Sequence, residues 1–234
     1  MSMVQHLKRL SRSTSGVAMT EFALGLPLLL TAGLWGAEMA NYALVNMKVS
    51  QLALQLADNG SRIGDTSSLQ NRKIYESDIN DVFYGAQLQS GKSISLYDNA
   101  RVFISSVEVK VATAGGSESQ YIHWQRCRGA KNVASSYGTE GTDLGTTGIG
   151  PSTEKVVAQA GDAVIYVQVN YTYQPLISSK IITNRDIHAI ASFTVRDNRD
   201  LTQIYQRDAG KPDPVQKCDT LKGNMVVSAK GLVS

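Results

Sequence analysis

The feature that most constrains this chain is an apolar run from residue 17 to residue 37, VAMTEFALGLPLLLTAGLWGA. The run contains a single charged side chain, the carboxylate of Glu21. About 20 consecutive apolar residues suffice for a helix to cross a bilayer. A charge at membrane depth is costly unless it is paired or reaches the headgroups. We therefore predict a membrane helix whose one acid has a specific partner.

The segment before this run is basic and contains no acid. Lys8, Arg9 and Arg12 account for the whole formal charge of +3, because removing these three from 23 basic residues leaves 20, against 20 acidic residues. A neutral body argues against nucleic acid as a partner, since binding to phosphates needs a basic face. Positive charge before a membrane helix stays in the cytoplasm. The segment after the helix is therefore expected on the other side.

The position of Gly16 separates this leader from an ordinary signal peptide. A secretory signal is cut after its apolar stretch, whereas Gly16, the small residue, comes before it. A cut at Gly16 would leave the apolar helix on the mature protein. The alternative is an uncleaved signal anchor in which Glu21 lies at the level of the headgroups.

The residues around this position resemble the N-terminus of type IV pilins. Gly16 is followed by four residues, by Glu21 in a Glu-Phe pair, and by an Ala/Leu/Pro-rich run containing LPLLL. The pattern is most similar to the TadE-like minor pilins (pseudopilins) of the tight-adherence (Tad) pilus. The resemblance covers residues 16–58 and, more weakly, the segment YVQVNYTYQPL together with the strand after it, which ends in Val195-Arg196. A valine, Val17, stands where many type IV pilins have phenylalanine.

The resemblance implies how the chain is processed and assembled. A prepilin peptidase would cut between Gly16 and Val17, which makes Glu21 the fifth residue of the mature chain. The carboxylate of Glu21 would then pair with the new amine of Val17 on a neighbouring subunit. Two desolvated charges of this kind are tolerable only together.

The same resemblance implies a structural protein of an adhesive pilus, with no catalytic activity, no cofactor and no small-molecule substrate. Its partners would be other Tad pilins, both major and minor, the prepilin peptidase and the inner-membrane assembly platform. It would lie in the bacterial inner membrane with its head in the periplasm, and would either enter the extracellular pilus, at its tip or within it, or stay in the membrane as part of a priming complex. The alternative is a signal-anchored periplasmic enzyme or binding protein that uses the helix only as a tether.

The helix is predicted to continue beyond the membrane. Between residues 38 and 58, apolar residues recur at spacings of three and four, which places them on one helix face: Tyr42, Val45, Val49, Leu52 and Leu56. Two heptads are too few for a coiled coil, so we expect this face to pack on the head. Asn59-Gly60 predicts the end of the helix, and Pro27 predicts a kink or a local loosening of the helix.

The resulting domain organisation is a leader (1–16), a long helix (17–60) and a head (61–234). The helix has a membrane half of about 17–37 and an amphipathic half of about 38–58.

The head is predicted to contain one helix and four strands. Residues 78–88 form an amphipathic helix with Ser77 as its cap. Alternating apolar residues predict strands at 101–112, 121–127, 163–173 and 187–195. We therefore predict an α+β fold in which a long N-terminal pilin-type membrane helix packs on a globular head with an antiparallel β-sheet.

Details of these strands are also predicted. The first strand has a slip near Ser105 that suggests a bulge. In the third strand, Ile165 and every second residue from there to Tyr173 are expected to face the core. The Gly/Ser/Thr-rich residues 134–153 read as a long flexible surface loop, and residues 201–206 as a short helix.

Two cysteines, Cys127 and Cys218, lie far apart in the sequence. If the head is exported, a disulfide between them is the expected state. Two separate buried thiols are the alternative.

Other chemical motifs are weak. Gly91-Lys92-Ser93 has five residues rather than four after Gly85, so it departs from the P-loop pattern and is read as a solvated turn. His123 and Cys127 alone are too few for a zinc site, so His123 is read as a structural residue. The acids of residues 76–81 lack the spacing of a calcium-binding loop and suit the first turn of a helix. No metal site is therefore predicted.

Overall fold

The computed structural model describes residues 15–65, 71–110, 118–182, 186–228 and 231–233. Two compact units divide these residues. The first, here the helical unit, contains the described residues up to Ala43 together with residues 175–182. The second, the head unit, contains the described residues of 44–174 and 184–234.

The predicted long helix is present as α1, Ser15–Arg62, with 48 residues. It is continuous through Pro27, although proline lacks the N–H for a helical hydrogen bond. The hydroxyl of Thr31 donates to the carbonyl oxygen of Pro27 at 2.6 Å. The helix ends two residues later than the Asn59-Gly60 signal indicated.

The part of α1 that belongs to the head unit packs into its core as predicted. Val49, Leu52 and Leu56 are all almost completely buried, and Val45 is half-buried. Near the end of the helix, a Cβ atom added to Gly60 would lie 3.1 Å from Cγ2 of Ile165. The part of α1 from Leu44 onwards is therefore built into the head unit, and its end lies against β4.

A buried arginine, Arg199, forms hydrogen bonds with the carbonyl groups at the C-terminal end of α1. Its Nη2 group donates to the carbonyl oxygens of Gly60 (3.3 Å), Ser61 (3.2 Å) and Ile63 (2.8 Å). The last carbonyl groups of a helix have no partner within it and carry partial negative charge, so a cation is favourable there. Burial lowers the pKa of Arg199 to about 10, which leaves the side chain charged at neutral pH.

The remaining elements follow in chain order. They are α2 (Glu76–Ile94), α3 (Leu96–Asn99), β1 (Ala100–Lys110), β2 (Ser119–Arg128), β3 (Asp143–Gly145), β4 (Ala163–Thr172), β5 (Asp186–Thr194), β6 (Val226–Ser228) and β7 (Gly231–Val233). The first five strands form one sheet in the order β3-β2-β1-β4-β5, and every neighbouring pair is antiparallel. The last two form a separate hairpin. The predicted α+β class and antiparallel sheet are confirmed.

Helix α2 carries the predicted apolar face, with Ile79, Val82, Phe83 and Ala86 all buried. Its start differs from the prediction, because the helix begins at Glu76 and Ser77 lies inside the first turn. The carboxylate of Asp78 instead accepts the backbone N–H of Tyr75 at 3.1 Å. Near the other end, Gly91 has a φ of 69° that interrupts the helical backbone close to the predicted end.

The central strand β4 is buried on both faces. Its predicted core face, from Ile165 to Tyr173, is indeed buried, but so are Val164 and Tyr166 on the opposite face. A second apolar cluster covers that opposite face: Val107, Ile122, Ile149, Ala158, Val164 and Tyr166.

The second cluster corrects the prediction of a flexible loop at residues 134–153. Ile149 from this segment is 1% exposed. Its backbone exchanges two hydrogen bonds with Val156, at 2.9 and 2.8 Å. Gly148 allows this close approach, because a Cβ there would lie 2.0 Å from the Val156 carbonyl oxygen. The segment covers one face of the sheet. A few apolar residues within its Gly/Ser/Thr-rich sequence pack against that face.

The bulge predicted for β1, near Ser105, lies on its partner β2 instead. Ser106 pairs with Trp124 and Val107 pairs with Ile122, so the extra residue is His123 of β2. Strand β1 pairs with β4 without any shift. The slip in the apolar pattern of β1 has a different cause, since its apolar residues change face where the second cluster begins.

The C-terminal tail is fixed to the sheet by a disulfide between Cys127 and Cys218, as expected for an exported head. Buried Arg101 strengthens this attachment by donating to the carbonyl oxygens of Cys218 (2.7 Å) and Thr220 (2.8 Å). The two cysteines are 91 residues apart, and a disulfide that closes a loop of this length contributes about 4–5 kcal/mol in a chain-entropy account. The predicted helical turn at 201–206 is absent, because Tyr205 forms a parallel bridge with Tyr75.

Candidate functional site

The first half of α1 presents an apolar surface that the described residues leave uncovered. Its most apolar window has a mean hydropathy of 1.7 and no buried residue. By length and composition, this helix can cross a membrane. Ten large apolar side chains are exposed in this half: Val17, Met19, Phe22, Leu24, Leu26, Leu28, Leu29, Leu30, Leu34 and Trp35.

The three residues predicted for processing and assembly lie together at the start of this surface. Gly16 and Val17 are in the first turn of α1, and Glu21 follows four residues after Val17. Residues four apart lie on the same side of a helix, one turn from each other. The side chain of Glu21 is exposed, and the hydroxyl of Thr20 donates to the Val17 carbonyl oxygen at 2.8 Å. The helix thus presents one carboxylate on an otherwise uncharged surface.

Nothing crowds the predicted cleavage position in the described structure. A Cβ atom built on Gly16 would have no heavy atom within 4 Å. The two predicted cysteines, by contrast, lie in the head unit and are joined by their disulfide. The predicted site residues therefore form two groups, one for the start of the helix and one for the stability of the head.

The head contains a buried polar network around Glu108. The hydroxyl of Ser106 donates to Oε1 of Glu108 at 2.7 Å, and Nδ1 of His123 lies 2.8 Å from its Oε2. A nucleophilic serine would need to contact the histidine, whereas here both contact the carboxylate. The hydrogen bond with Glu108 is the main cause that raises the pKa of His123. We therefore interpret the network as structural.

The other motifs are also occupied by structural contacts. Cys127 is in a disulfide, so its sulfur is not a thiolate ligand for a metal. The carboxylate of Glu76 accepts hydrogen bonds from Nε and Nη2 of Arg126, at 3.1 and 2.6 Å. Asp78 forms an ion pair with Arg207. In the ranges that the structure describes, no group of three or more His, Cys, Asp and Glu side chains could hold a metal ion.

The Gly91-Lys92-Ser93 segment also differs from a phosphate-binding loop in its structural context. A P-loop connects a strand to the start of a helix. Here the segment lies in the last residues of α2 and is followed by the short helix α3.

One residue at the end of the apolar run escaped the sequence analysis. Glu38 is the first charged residue after Glu21, and its side chain is completely buried. Its carboxylate oxygens accept the backbone N–H groups of Leu176 (3.3 Å) and Ile177 (2.7 Å). A sequence signal did exist. The connection after β4 reads PLISSKII, which is unusually apolar for a segment between two strands.

Comparison with models of protein families, with curated proteins and with solved structures finds no match to this chain.

Proposed function

We propose that this protein is a TadE-like minor pilin (pseudopilin) that takes part in the assembly of a Tad-type adhesive pilus. The observation that carries the proposal is the lone carboxylate of Glu21 on the uncovered apolar half of α1, one turn beyond the Gly16-Val17 bond. A helix that served only as a tether would have no use for an acid at this depth. A helix that must align with the helices of other subunits can use such an acid to set its register.

Cleavage after Gly16 supplies the partner for this acid. It removes every charge of the basic leader and creates an ammonium group on Val17. It also brings Glu21 close to the start of the helix, where unpaired N–H groups and the helix dipole favour negative charge. Inside a bundle of such helices, the carboxylate of one subunit and the ammonium of its neighbour compensate each other's desolvation. This pairing fixes the position of each subunit along the filament axis.

The proposed location follows from the same helix. The run at residues 17–37 anchors the subunit in the inner membrane, and the basic leader keeps the N-terminus in the cytoplasm. The disulfide of the head suits the oxidising periplasm. The partners are the prepilin peptidase, the inner-membrane assembly platform and the other pilins of the system.

Substitution of Glu21 tests the proposal. Glu21→Ala and Glu21→Gln should still be cut and inserted, because both keep the leader and the Gly16-Val17 bond and only remove a charge from the apolar run. Both should lose most pili, since the ammonium of the neighbour is left buried and unpaired. The measurement is a count of pili by electron microscopy, with immunoblots of the membrane fraction to confirm normal protein levels.

Thr31→Val is the matched control, because it also alters a polar side chain of the apolar run and removes only a local hydrogen bond. It should leave pilus numbers unchanged. Normal piliation in the Glu21 variants would refute the proposed role of the carboxylate.

A further inference from the structure

The connection between β4 and β5 is an apolar loop of the helical unit. Residues 175–182 belong to the same compact unit as the first half of α1. Two adjacent large side chains of this loop face outwards, with Leu176 70% exposed and Ile177 40% exposed. Ile182 is buried at 8%. The loop is therefore held at one end and presents a small apolar tip at the other.

The carboxylate of Glu38 fixes the level of this tip along α1. Its oxygens accept the N–H groups of Leu176 and Ile177 themselves, so these two residues are tied to the helix at Glu38. Hydrogen bonds to an ionised acceptor are stronger than those between neutral groups. Because the side chain is completely buried, loss of these contacts would be costly, since a polar group in the interior needs its hydrogen bonds.

Glu38 lies where the apolar run ends. The 21 residues from 17 to 37 span about 32 Å at 1.5 Å per residue, which matches a hydrocarbon thickness of about 30 Å. Trp35, one turn before Glu38, is 55% exposed, and tryptophan prefers the boundary between lipid and water. The loop also carries exposed Lys180, whose ammonium complements anionic headgroups.

We propose that the loop at residues 175–182 is a second membrane contact, in which Leu176 and Ile177 enter the outer interface of the bilayer that α1 crosses. The inference rests on the membrane-spanning part of the proposed function and adds a specific lipid-binding surface to it. The apolar tip enters the region between acyl chains and headgroups, and Lys180 binds lipid phosphate. This contact fixes the depth of the subunit, and it must be released when the subunit leaves the membrane.

Tryptophan quenching by brominated lipids tests this contact in the full-length chain. The protein is reconstituted in vesicles of phosphatidylethanolamine and phosphatidylglycerol, with a phosphatidylcholine brominated either near the headgroup or deep in the acyl chain. Leu176→Trp is made in a Trp35→Phe background. The control is Leu88→Trp in the same background, because Leu88 lies on α2 and is similarly exposed, at 63%. The signal of buried Trp124 is common to both and is subtracted.

The Leu176→Trp protein should show a blue-shifted emission and quenching several-fold stronger than the Leu88→Trp protein, most strongly with the shallow bromines. Adding Glu38→Ala should reduce this quenching, because the loop is no longer held at the membrane level. Equal quenching of the Leu176→Trp and Leu88→Trp proteins would overturn the loop contact. The membrane helix would still stand in that case, provided that Trp35 of the unsubstituted protein is quenched. A blue shift without quenching would also overturn it, since a neighbouring chain would then cover the tip. Absence of quenching at Trp35 would overturn the membrane placement itself, and the loop contact with it.

Discussion

At the scale of single residues, buried charges in this protein are placed where backbone groups need partners. Arg199 donates to three carbonyl oxygens at the end of α1, and Arg101 donates to carbonyl oxygens of the tail. Glu38 does the reverse and accepts backbone N–H groups of a loop. An unpaired polar group in the interior costs about 1–3 kcal/mol. These side chains thus hold irregular backbone segments in place.

Arg199 should be a strong determinant of stability. Arg199→Met would leave the carbonyl oxygens of Gly60, Ser61 and Ile63 without their donor, so we expect a loss of about 3 kcal/mol in the free energy of unfolding. Arg196→Met is the control, because its ion pair with Asp58 is exposed and such pairs contribute about 0–1 kcal/mol. Urea unfolding in detergent measures both. Equal losses in the two variants would contradict the capping role of Arg199.

His123 should make stability depend on pH. The hydrogen bond with Glu108 raises the pKa of His123 above its ordinary value of 6.5. When the pKa of a histidine is higher in the folded state than in the unfolded state, its protonation stabilises the fold. This contribution is complete below the pKa of the unfolded state and is lost as the pH rises through the pKa of the folded state. Between about pH 6 and pH 8, the free energy of unfolding should therefore fall more in the wild type than in His123→Gln.

Denaturant unfolding at a series of pH values measures this difference. In a Glu108→Gln background, His123→Gln should change the pH profile much less, because the carboxylate that is the main cause of the raised pKa is gone. Parallel profiles for the wild type and His123→Gln would show that the contact does not contribute.

The residue scale also shows which residues of the proposed site can be predicted from the sequence. Glu21 can be singled out because its immediate neighbours are apolar for a whole membrane span. Glu38 stands beside the same run, but its partners are 138 and 139 residues away. The bulge at His123 is hidden for a similar reason, since it is defined only by the pairing with another strand.

At the scale of elements, the periodicity of apolar residues predicted the positions of most helices and strands. It did not predict how many faces of the sheet are buried. The four predicted strands are all present, and the order β3-β2-β1-β4-β5 came only with the structure. A sheet with one buried face shows a clear alternation, whereas β4 has both faces covered. The cover itself, around Ile149, looks like a loop because few of its residues are apolar. A long polar segment can therefore contribute to a core through one or two side chains.

The covering segment should contribute measurably to stability. Ile149→Ala would create a cavity in the second apolar cluster and cost about 2–4 kcal/mol. Val157→Ala is the matched control, because Val157 directly follows Val156, the backbone partner of Ile149, and is 52% exposed. Its substitution should cost no more than about 0.5 kcal/mol. Thermal unfolding followed by circular dichroism gives both values. A negligible effect of Ile149→Ala would mean that the segment does not hold the sheet.

At the scale of the whole molecule, the two compact units have different tasks in our account. The helical unit contains Gly16, Val17 and Glu21, all within one short stretch of sequence, which is why these residues can be proposed from the sequence alone. The head unit contains the disulfide and the two apolar clusters. Its fold depends on contacts between distant residues, and its predictions were accordingly less complete.

The most direct test of the central claim is the mass of the mature N-terminus, measured on protein purified from membranes of cells that contain a prepilin peptidase. Our account predicts a chain that begins at Val17, with its α-amine free to pair with Glu21 of a neighbour. A chain that begins at Met1, or at a residue beyond Ala37, would contradict it, because the ammonium group at Val17 would then never form.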